Sequence, residues 1–186
     1  GHDSKIWVID DLSGGHSEFI DVLRIQAKER GVAEFHFDKR SLLEEEFVTR
    51  LVKEINPDIV FHFAGKISVG ESVKNPDLYF NNNVKATKFL LAALEHTQCR
   101  QFVFSSTAAV YQPSFDQQPL REEFPLGPSN PYGENKLQVE NMLEHAAKHW
   151  GLGVVVFRYF NAAGASPSGR FGEWHEPETH LIPLLL

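Results

Sequence analysis

The sequence predicts an α/β fold built on a doubly wound parallel sheet. Short apolar runs rich in Val, Ile and Phe recur along the chain between polar residues, which is typical of strands covered on both faces. Segments with apolar residues at three- and four-residue spacings lie between these runs and indicate amphipathic helices. The chain has 186 residues, 42% of them apolar, and this is enough for one sizeable hydrophobic core.

The predicted elements alternate in order along the chain. We expect five strands, at residues 5–9, 33–37, 58–63, 101–104 and 154–158. We expect four helices between and after them, at residues 18–30, 42–55, 84–97 and 132–149. Pro131 comes just before the last helix, where a proline in the first turn is tolerated. The polar, proline-bearing residues 112–128 are expected to form an ordered surface loop.

Composition excludes several classes of partner and points to a compartment. The formal net charge is −7, with 18 basic and 25 acidic residues and no basic cluster, so we expect neither nucleic-acid binding nor adsorption to an anionic membrane. Cys99 is the single cysteine, which rules out an internal disulfide and fits a reducing, cytoplasmic location. No apolar stretch has the length of a membrane span, and no signal peptide is recognisable.

The two ends of the chain predict a piece of a longer protein. Gly1 is followed almost directly by the strand at residues 5–9, and the chain stops within the apolar run 181–186. Terminal leucines expose surface that normally packs against another element. We therefore expect a sheet truncated at both ends, although the first two residues could instead be a cloning remnant.

Thr107, Tyr132 and Lys136 form the strongest chemical pattern. Tyr132 and Lys136 are four residues apart and share one helical face. A nearby ammonium favours the phenolate, so a tyrosine with an ordinary pKa of about 10 can act as a base nearer neutral pH, particularly beside a cationic cofactor ring. Thr107 adds a hydroxyl at the end of a predicted strand. Alone, Tyr-x-x-x-Lys is more often a surface pair; here its place after a buried strand favours catalysis.

Other polar or small residues follow the predicted strands, where doubly wound sheets bind ligands. Asp10 and Asp11 close the first strand, and a carboxylate there can accept both hydroxyls of an adenosine ribose, which favours NAD over NADP. Asp38 follows the second strand. The small residues 64–65 allow backbone to approach a flat ring or a diphosphate. On local sequence alone, an ordinary turn or helix-cap aspartate is the favoured explanation of Asp10 and Asp11. Asp38 is equally modest evidence, and a tight turn is the alternative for residues 64–65.

Taken together, these segments resemble the extended short-chain dehydrogenase/reductase family, and within it the UDP-glucose 4-epimerases. The matching stretches are VIDDLSGGH (8–16), HFAGKISVGESV (62–73), PDLYFNNNV (76–84), FVFSSTAAVY (102–111), NPYGENK (130–136), RYFNAAGA (158–165) and PETHLIP (177–183). They cover nearly the whole chain in the expected order. The resemblance implies a Rossmann-like NAD-binding domain over residues 1–186, with the substrate-binding region starting at residues 159–186.

The resemblance implies roles in binding NAD. Asp10 and Asp11 would bind the adenosine ribose, and Asp38 would lie near the adenine. Asn82 would contact the cofactor, and Phe160 would lie beside the nicotinamide. The full implied cofactor set is Asp10, Asp11, Asp38, Phe63, Ala64, Gly65, Lys66, Asn82, Thr107, Tyr132, Lys136 and Phe160. The glycine-rich turn that holds the pyrophosphate in this family is absent here, as is the C-terminal substrate region, so we expect this piece alone to bind NAD poorly.

The resemblance also implies the reaction, which is the interconversion of UDP-galactose and UDP-glucose by transient oxidation at C4. Tyr132 would be the base, Lys136 its electrostatic partner, and Thr107 the hydroxyl that orients the sugar. The implied substrate-binding set is Thr107, Tyr132, Asn161, His180 and Leu181. A homodimer packed through residues 84–97 and 132–149 is implied as well.

Alternatives remain open on the sequence alone. Related 4,6-dehydratases carry an Asp-Glu pair after the threonine, and Ala108 and Ala109 stand there instead, which favours simple epimerisation. A UDP-N-acetylhexosamine or a UDP-pentose could replace the hexose, and an inactive or binding-only fragment is a further alternative. His62 is expected to be a core histidine. We expect no metal site among residues 175–180, because Pro177 breaks the helix that a His-Glu-x-x-His zinc motif needs.

Overall fold

The computed structural model of the protein describes residues 3–114, 119–175, 178 and 180–185. The described strands are β1 (Lys5–Ile9), β2 (Glu34–Asp38), β3 (Ile59–His62), β4 (Gln101–Thr107) and β5 (Gly153–Tyr159). The described α-helices are α1 (Ser17–Glu29), α2 (Glu45–Ile55), α3 (Val69–Lys74), α4 (Pro76–Tyr79), α5 (Ala86–Leu94), α6 (Pro131–Trp150) and α7 (Leu181–Leu185). The predicted alternation of strands and helices is confirmed.

The strands are parallel, as predicted, but those described form two sheets rather than one. β1 pairs with β2, with Ile6 opposite Phe35. β4 lies between β3 and β5 in a three-stranded sheet, with Phe104 opposite His62 on one side. β1 and β3 thus each pair on one side only within the described part of the chain. In the second sheet the carboxyl ends of all three strands lie at one edge, where ligands bind in such folds.

Apolar side chains from the second sheet and from α2, α5 and α6 form one core. Phe102 and Phe104 on β4 are almost fully buried, as the continuous apolar run predicts. The helices bury the residues that recur at helical spacing, among them Val48 and Val52 on α2, and Val139 and Leu143 on α6. Packing of α6 against this face of the sheet therefore fixes the position of the helix.

The segment before α5 is helical, whereas the sequence predicted a helix only at residues 84–97. Two short helices, α3 and α4, come first, and a π-helix spans Phe80–Lys85. Ser68 caps α3 by accepting a hydrogen bond from the Glu71 N–H. Buried Tyr79 joins the segment together, since its hydroxyl donates to Glu71 at 2.7 Å. π-helical turns inside helices are frequent at functional sites.

The segment at residues 112–128 was predicted to be an ordered surface loop, and residues 115–118 of it lie outside the described residues. The remainder is held by backbone contacts. Tyr111 and Leu126 form an isolated antiparallel bridge, and the Gln112 N–H donates to the Pro125 carbonyl at 3.0 Å. None of the described helices combines the length and the apolarity needed to cross a lipid bilayer.

Candidate active site at the carboxyl edge of the sheet

The side chains of Thr107, Tyr132 and Lys136 converge where β4 ends and α6 begins. All three residues are buried, with exposed fractions of 9%, 9% and 3%. Tyr132 and Lys136 lie on one face of the first two turns of α6, with the Lys136 Nζ 5.9 Å from the centre of the Tyr132 ring. The Thr107 side chain lies close enough to the Tyr132 phenol to influence its pKa. The structure therefore brings together the three residues that the sequence predicted as catalytic.

The first turn of α6 is fixed from two directions. The Asn130 side chain caps the helix by accepting a hydrogen bond from the Gly133 N–H at 2.9 Å. Buried Ser72 of α3 accepts the Tyr132 N–H at 3.2 Å. At Gly133, a Cβ atom would lie 2.5 Å from the Ala109 carbonyl oxygen, so only glycine lets the helix approach the turn that follows β4 this closely. These contacts set the position of the tyrosine relative to the strand end.

Lys136 is a buried cation with few partners. Its Nζ donates a hydrogen bond to the Ser105 carbonyl oxygen at 2.8 Å. The same atom lies 4.9 Å from the centre of the Phe104 ring, within range of a cation–π interaction. Burial nevertheless lowers the pKa of Lys136 to about 8, because the charged form has lost its hydration. The surrounding protein thus stabilises the charged form of Lys136 less well than water does.

The pKa of Tyr132 is raised in the protein alone. Burial raises the pKa of the phenol, and the Thr107 side chain acts in the opposite direction. The Lys136 ammonium donates to the Ser105 carbonyl, and it is not among the groups that shift the pKa of the phenol. The expectation that Lys136 and a cationic cofactor ring together favour the phenolate stays a prediction.

His62 is a hydrogen-bonded core histidine, which confirms the sequence prediction. Its Nε2 lies 2.7 Å from the Thr87 hydroxyl, which itself donates to the Asn83 carbonyl. The Thr87 proton is used in that second bond, so His62 Nε2 carries the proton of the first. Burial, and then repulsion from Lys136, lower the pKa of His62 to about 3. The ring is neutral at physiological pH and fills space in the core beside the site.

The loop after β3 approaches the site through Gly65. This residue has a φ of +151°, and a Cβ atom there would lie 3.0 Å from Asn83 Oδ1 and 3.7 Å from Lys136 Nζ. The next residue is held by the π-helix, because the Lys66 N–H donates to Asn82 Oδ1 at 3.1 Å and to Asn83 Oδ1 at 2.8 Å. Asn82 was predicted to belong to the site. Buried Asn83 was missed, and the run of three asparagines was the available signal.

Two exposed aromatic rings lie at the same edge of the sheet. Phe63 follows β3 and is 60% exposed, and Phe160 follows β5 and is 69% exposed. Tyr159, the last residue of β5, pairs in register with Thr107, so Phe160 and Asn161 continue the chain directly beside the strand end that carries the threonine. Exposed aromatic rings at this edge are suited to packing against a flat ligand.

Asp10, Asp11 and Asp38 form a separate group at the carboxyl edge of the first sheet. Asp10 Oδ1 accepts the Leu12 N–H at 2.7 Å, and Asp11 Oδ1 accepts the Ser13 N–H at 2.8 Å. The Asp10 N–H donates to the Asp38 carbonyl at 3.2 Å. The carboxylates of Asp10 and Asp11 thus each use one oxygen in a local turn. No hydrogen bond or ion pair of the described residues joins this group to the Tyr132 site.

His180 and Leu181, which were predicted to bind substrate, lie at the start of the last helix. His180 Nδ1 is 2.9 Å from Glu178 Oε1 and 3.0 Å from Glu173 Oε1. Leu181 is 68% exposed. Thr179, which precedes His180 and belongs to the matching stretch, lies outside the described residues. The contacts of the described residues do not join this group to Tyr132.

A buried ion pair behind the site was missed by the sequence analysis. Ser106 donates to Glu140 Oε1 at 2.5 Å, and Arg158 Nη2 donates to Glu140 Oε2 at 2.7 Å. Arg158 also donates to the Tyr111 hydroxyl at 3.1 Å, and these hydrogen bonds raise the pKa of its guanidinium. The network ties β4, α6 and β5 together directly behind Thr107. The available signal was an arginine in an apolar strand, which must find a partner when it is buried.

Known proteins that are similar to this chain include NAD-dependent epimerases. The model of the protein family described as "NAD dependent epimerase/dehydratase family" matches residues 2–186. The UDP-glucose 4-epimerase of Halalkalibacterium halodurans is 42% identical over 184 residues, which are 98% of this chain and 51% of that protein. The enzyme of Rhizobium meliloti is 42% identical over 179 residues, 96% of this chain and 51% of its own length.

Solved structures of similar proteins share the fold. UDP-glucose 4-epimerase from Brucella ovis in complex with NAD superposes with a TM-score of 0.81 at 39% identity, over 96% of this chain and 51% of that one. A UDP-glucose 4-epimerase from Stenotrophomonas maltophila with bound NAD and formylated UDP-arabinopyranose gives a TM-score of 0.85 at 32% identity, over 96% of this chain and 52% of that one. These similarities confirm the predicted Rossmann-like fold. The chain spans about half the length of the curated relatives it matches.

Proposed function

Because the chain belongs to the NAD dependent epimerase/dehydratase family, we propose that the whole protein interconverts UDP-galactose and UDP-glucose with NAD as cofactor. The observation that carries this proposal is the buried group of Thr107, Tyr132 and Lys136 at the end of β4. A binding protein has no need of a phenol, an ammonium and a hydroxyl held together out of water. The curated relatives described above bear the name of this enzyme, which supports the same reaction.

The residues of the chain fit a bound dinucleotide. Gly65 leaves open the space that a Cβ atom would fill beside Asn83 and Lys136, so backbone can approach a cofactor there. Asp10 and Asp11 each have a second carboxylate oxygen that forms no hydrogen bond within the described residues, and these oxygens would accept the adenosine ribose hydroxyls. When bound, NAD⁺ supplies the acceptor, and later the donor, of the hydride at sugar C4.

The remaining implied contacts follow from position at the sheet edge. Asp38 would lie near the adenine and Asn82 beside the cofactor, with Phe63, Ala64 and Lys66 lining the dinucleotide. Phe160 would pack on the nicotinamide with its exposed ring. Asn161, His180 and Leu181 would hold the diphosphate and uracil, and residues 159–186 would then begin the substrate-binding region.

Tyr132 would move the proton of the sugar 4-hydroxyl. Its pKa is raised by burial in the protein alone, and the positive charge of the oxidised nicotinamide together with Lys136 would favour the phenolate. Thr107 would orient the sugar hydroxyl through its own hydroxyl, because its side chain is close enough to the phenol to influence the pKa of Tyr132. After the 4-keto sugar turns over in the site, the same phenol would return the proton to the oxygen. The proton and hydride are both restored, so the net reaction is isomerisation.

The turn after Thr107 favours epimerisation over elimination of water. Ala108 and Ala109 stand in a short 3₁₀ turn, where a dehydratase needs an additional acid and base. The choice of sugar is a separate matter. The residues proposed to bind the nucleotide would contact its diphosphate and uracil, so a UDP-N-acetylhexosamine or a UDP-pentose would meet the same groups.

The phenylalanine variant of Tyr132 separates an enzyme from a protein that only binds. We expect Tyr132→Phe to lower the turnover of UDP-galactose by at least about 100-fold, the range for loss of a general base. Binding of UDP and of NAD, followed by calorimetry, should stay within about threefold, because the variant removes one oxygen from a packed ring. Equal turnover in both proteins would show that Tyr132 is not the base. Absence of turnover in the unaltered whole protein would favour the binding-only alternative.

We further propose that the protein is a cytoplasmic homodimer packed through α5 and α6. These helices form an exposed groove whose lining includes Leu91, Met142 and Trp150, with Lys88 and His145 at its sides. Burying such apolar side chains against a second copy is favourable, whereas a charge in their midst is not. Light scattering on a sizing column should give twice the chain mass for the protein and the monomer mass for Met142→Glu. A monomeric unaltered protein would refute the dimer.

A further inference from the structure

Two histidines and two glutamates come together in the segment between β5 and α7. Glu173, His175, Glu178 and His180 each contribute one nitrogen or oxygen atom, and these four atoms all lie within 4.8 Å of one another. The two imidazole ring centres are 4.7 Å apart. The four residues are close in sequence, at positions 173, 175, 178 and 180.

We propose that this cluster binds a divalent transition-metal ion, and that Zn²⁺ is the best match. The four contacts between histidine nitrogens and carboxylate oxygens measure 2.9, 3.0, 3.3 and 3.7 Å. In a tetrahedral zinc site with bonds of about 2.0–2.2 Å, neighbouring ligand atoms are about 3.3–3.6 Å apart. The observed contacts, which use both oxygens of Glu178, bracket that spacing. One ligand atom from each of the four residues lies within 4.8 Å of the other three.

Two buried atoms of the cluster have no hydrogen-bond partner within the described residues. They are Glu173 Oε2 and His175 Nδ1, and both are inaccessible to solvent, although His175 Nδ1 lies 3.3 Å from Glu173 Oε1. A carboxylate oxygen and a ring nitrogen without a proton both offer a lone pair. A cation accepts these lone pairs and removes the deficit.

Pro177 excludes only a metal site built on a helical His-Glu-x-x-His motif. Four other positions form this cluster, and all of them precede α7 and lie outside helices: Glu173, His175, Glu178 and His180. One ligand is already oriented by the backbone, because the His180 N–H donates to Glu178 Oε1 at 2.8 Å. Histidine nitrogen and carboxylate oxygen are ligands that zinc accepts.

The ion would fix the segment that leads into α7. Trp174 lies between two ligands, and its ring stacks on His16 at 3.8 Å, just before α1. A metal at the cluster would therefore hold the chain just before Leu181 against the first sheet's helix. The site shares His180 with the proposed substrate-binding set but none of the residues proposed to contact the reacting sugar, so zinc binding rather than turnover is the measurement that tests it.

Zinc binding by the purified, chelator-treated protein tests the proposal. Competition with a chromophoric chelator should show one Zn²⁺ per chain, and Trp174 fluorescence should change with the same stoichiometry. Co²⁺ should give the visible absorption of a four-coordinate ion. The double variant His175→Gln/His180→Gln should bind Zn²⁺ more weakly by about 100-fold or more, and Glu173→Gln by at least about tenfold. Circular dichroism would confirm that the variants are folded, and Glu173→Gln keeps the test valid if the double variant is not.

The chain offers a matched control in His145 and His149. These exposed histidines lie four residues apart on α6 with ring centres 4.0 Å apart, which is also a spacing at which two histidines can bind a metal. Replacing both with glutamine should leave the affinity for Zn²⁺ unchanged. The proposal is overturned if this control variant loses the zinc, if all variants bind it equally, or if the unaltered protein binds none. Equal competition by Mg²⁺ would refute the choice of a transition metal.

Discussion

Replacing Lys136 with methionine should make the protein more stable at neutral pH while removing the activity proposed for it. Burial lowers the pKa of Lys136 from 10.5 to about 8, so the folded protein holds this proton less tightly than the unfolded chain does. The difference of about 2.5 corresponds to about 3 kcal/mol of destabilisation at pH 7, because each pKa unit is worth about 1.4 kcal/mol. Methionine fills similar space without a charge.

The gain is reduced by the lost hydrogen bond. The Lys136 Nζ donates to the Ser105 carbonyl at 2.8 Å, and methionine leaves that oxygen without this donor, which costs about 1–1.5 kcal/mol. The expected net effect is about 2 kcal/mol of added stability, or a rise in Tm of about 4–8 °C for a chain of this size. A residue that destabilises the fold is retained when function requires it.

The pH dependence identifies the cause of the gain. The unfolded chain binds the lysine proton more tightly, so the free energy of unfolding of the unaltered protein rises with pH between about 8 and 10.5. The advantage of the methionine variant should therefore be full below pH 8 and should disappear as the pH approaches 10.5. Below about pH 8 the folded protein buries the charged form of Lys136. Above about pH 10.5 the amine is neutral in both the folded and the unfolded state.

Urea denaturation of both proteins at pH 7 and near pH 10.5 measures this difference. Lys148→Met is the matched control on the same helix, because Lys148 is exposed and pairs only with Glu144 in the described contacts, so its replacement should change stability little. The reasoning is refuted if Lys136→Met is less stable than the unaltered protein at pH 7. It is also refuted if the gain is the same at both pH values.

Two further substitutions test how the site is positioned. Gly133→Ala should cost about 1–3 kcal/mol and lower the proposed turnover, because the new Cβ would meet the Ala109 carbonyl oxygen at 2.5 Å; Gly70→Ala, where no atom lies within 4 Å, is its control in thermal denaturation. An equal response of the two glycine variants would contradict the close approach of α6. Glu140→Gln should lower the free energy of unfolding by about 2 kcal/mol, because it leaves the partly buried Arg158 without its carboxylate; a change within about 0.5 kcal/mol in urea would contradict a structural role for that pair.

The strands and long helices could be predicted because their side chains report burial. The strand at Lys5–Ile9 has the predicted bounds, and α6 begins one residue before the prediction, at Pro131. β4 continues three residues past the predicted end at Phe104. The apolar pattern ends there, whereas backbone pairing with β5 does not depend on side chains and carries the strand to Thr107. The division of the strands into two sheets depends on which strands pair with each other. The periodicity of apolar residues does not specify those pairs.

The segment from α3 to the π-helix could not be predicted for a related reason. Its structure depends on contacts between residues far apart in the chain, such as Lys66 with Asn83. Consecutive asparagines are poor helix formers, and in isolation they indicate a turn. The π-helix exists because these side chains bond the loop after β3 instead. Local propensity is overridden there by hydrogen bonds to the tertiary structure.

The candidate site was predictable where it follows local spacing. Tyr132 and Lys136 are one helical turn apart, and Thr107 follows an apolar run, so their chemistry is visible in the sequence. Ser72 was not predictable, since it contacts the tyrosine backbone from 60 residues away in the chain. The raised pKa of Tyr132 in the protein alone was not predicted, because it depends on burial of the phenol in the folded protein.

The most direct test of the proposed reaction follows a deuterium label at C4 of UDP-galactose. The whole protein, supplied with NAD⁺ in ordinary water, should produce UDP-glucose that retains deuterium at C4, as measured by NMR, because the hydride that leaves the carbon is returned to it. Tyr132→Phe should produce little of either labelled or unlabelled product. UDP-glucose that has lost the label to solvent, or no conversion of UDP-galactose by the whole protein, would contradict the account.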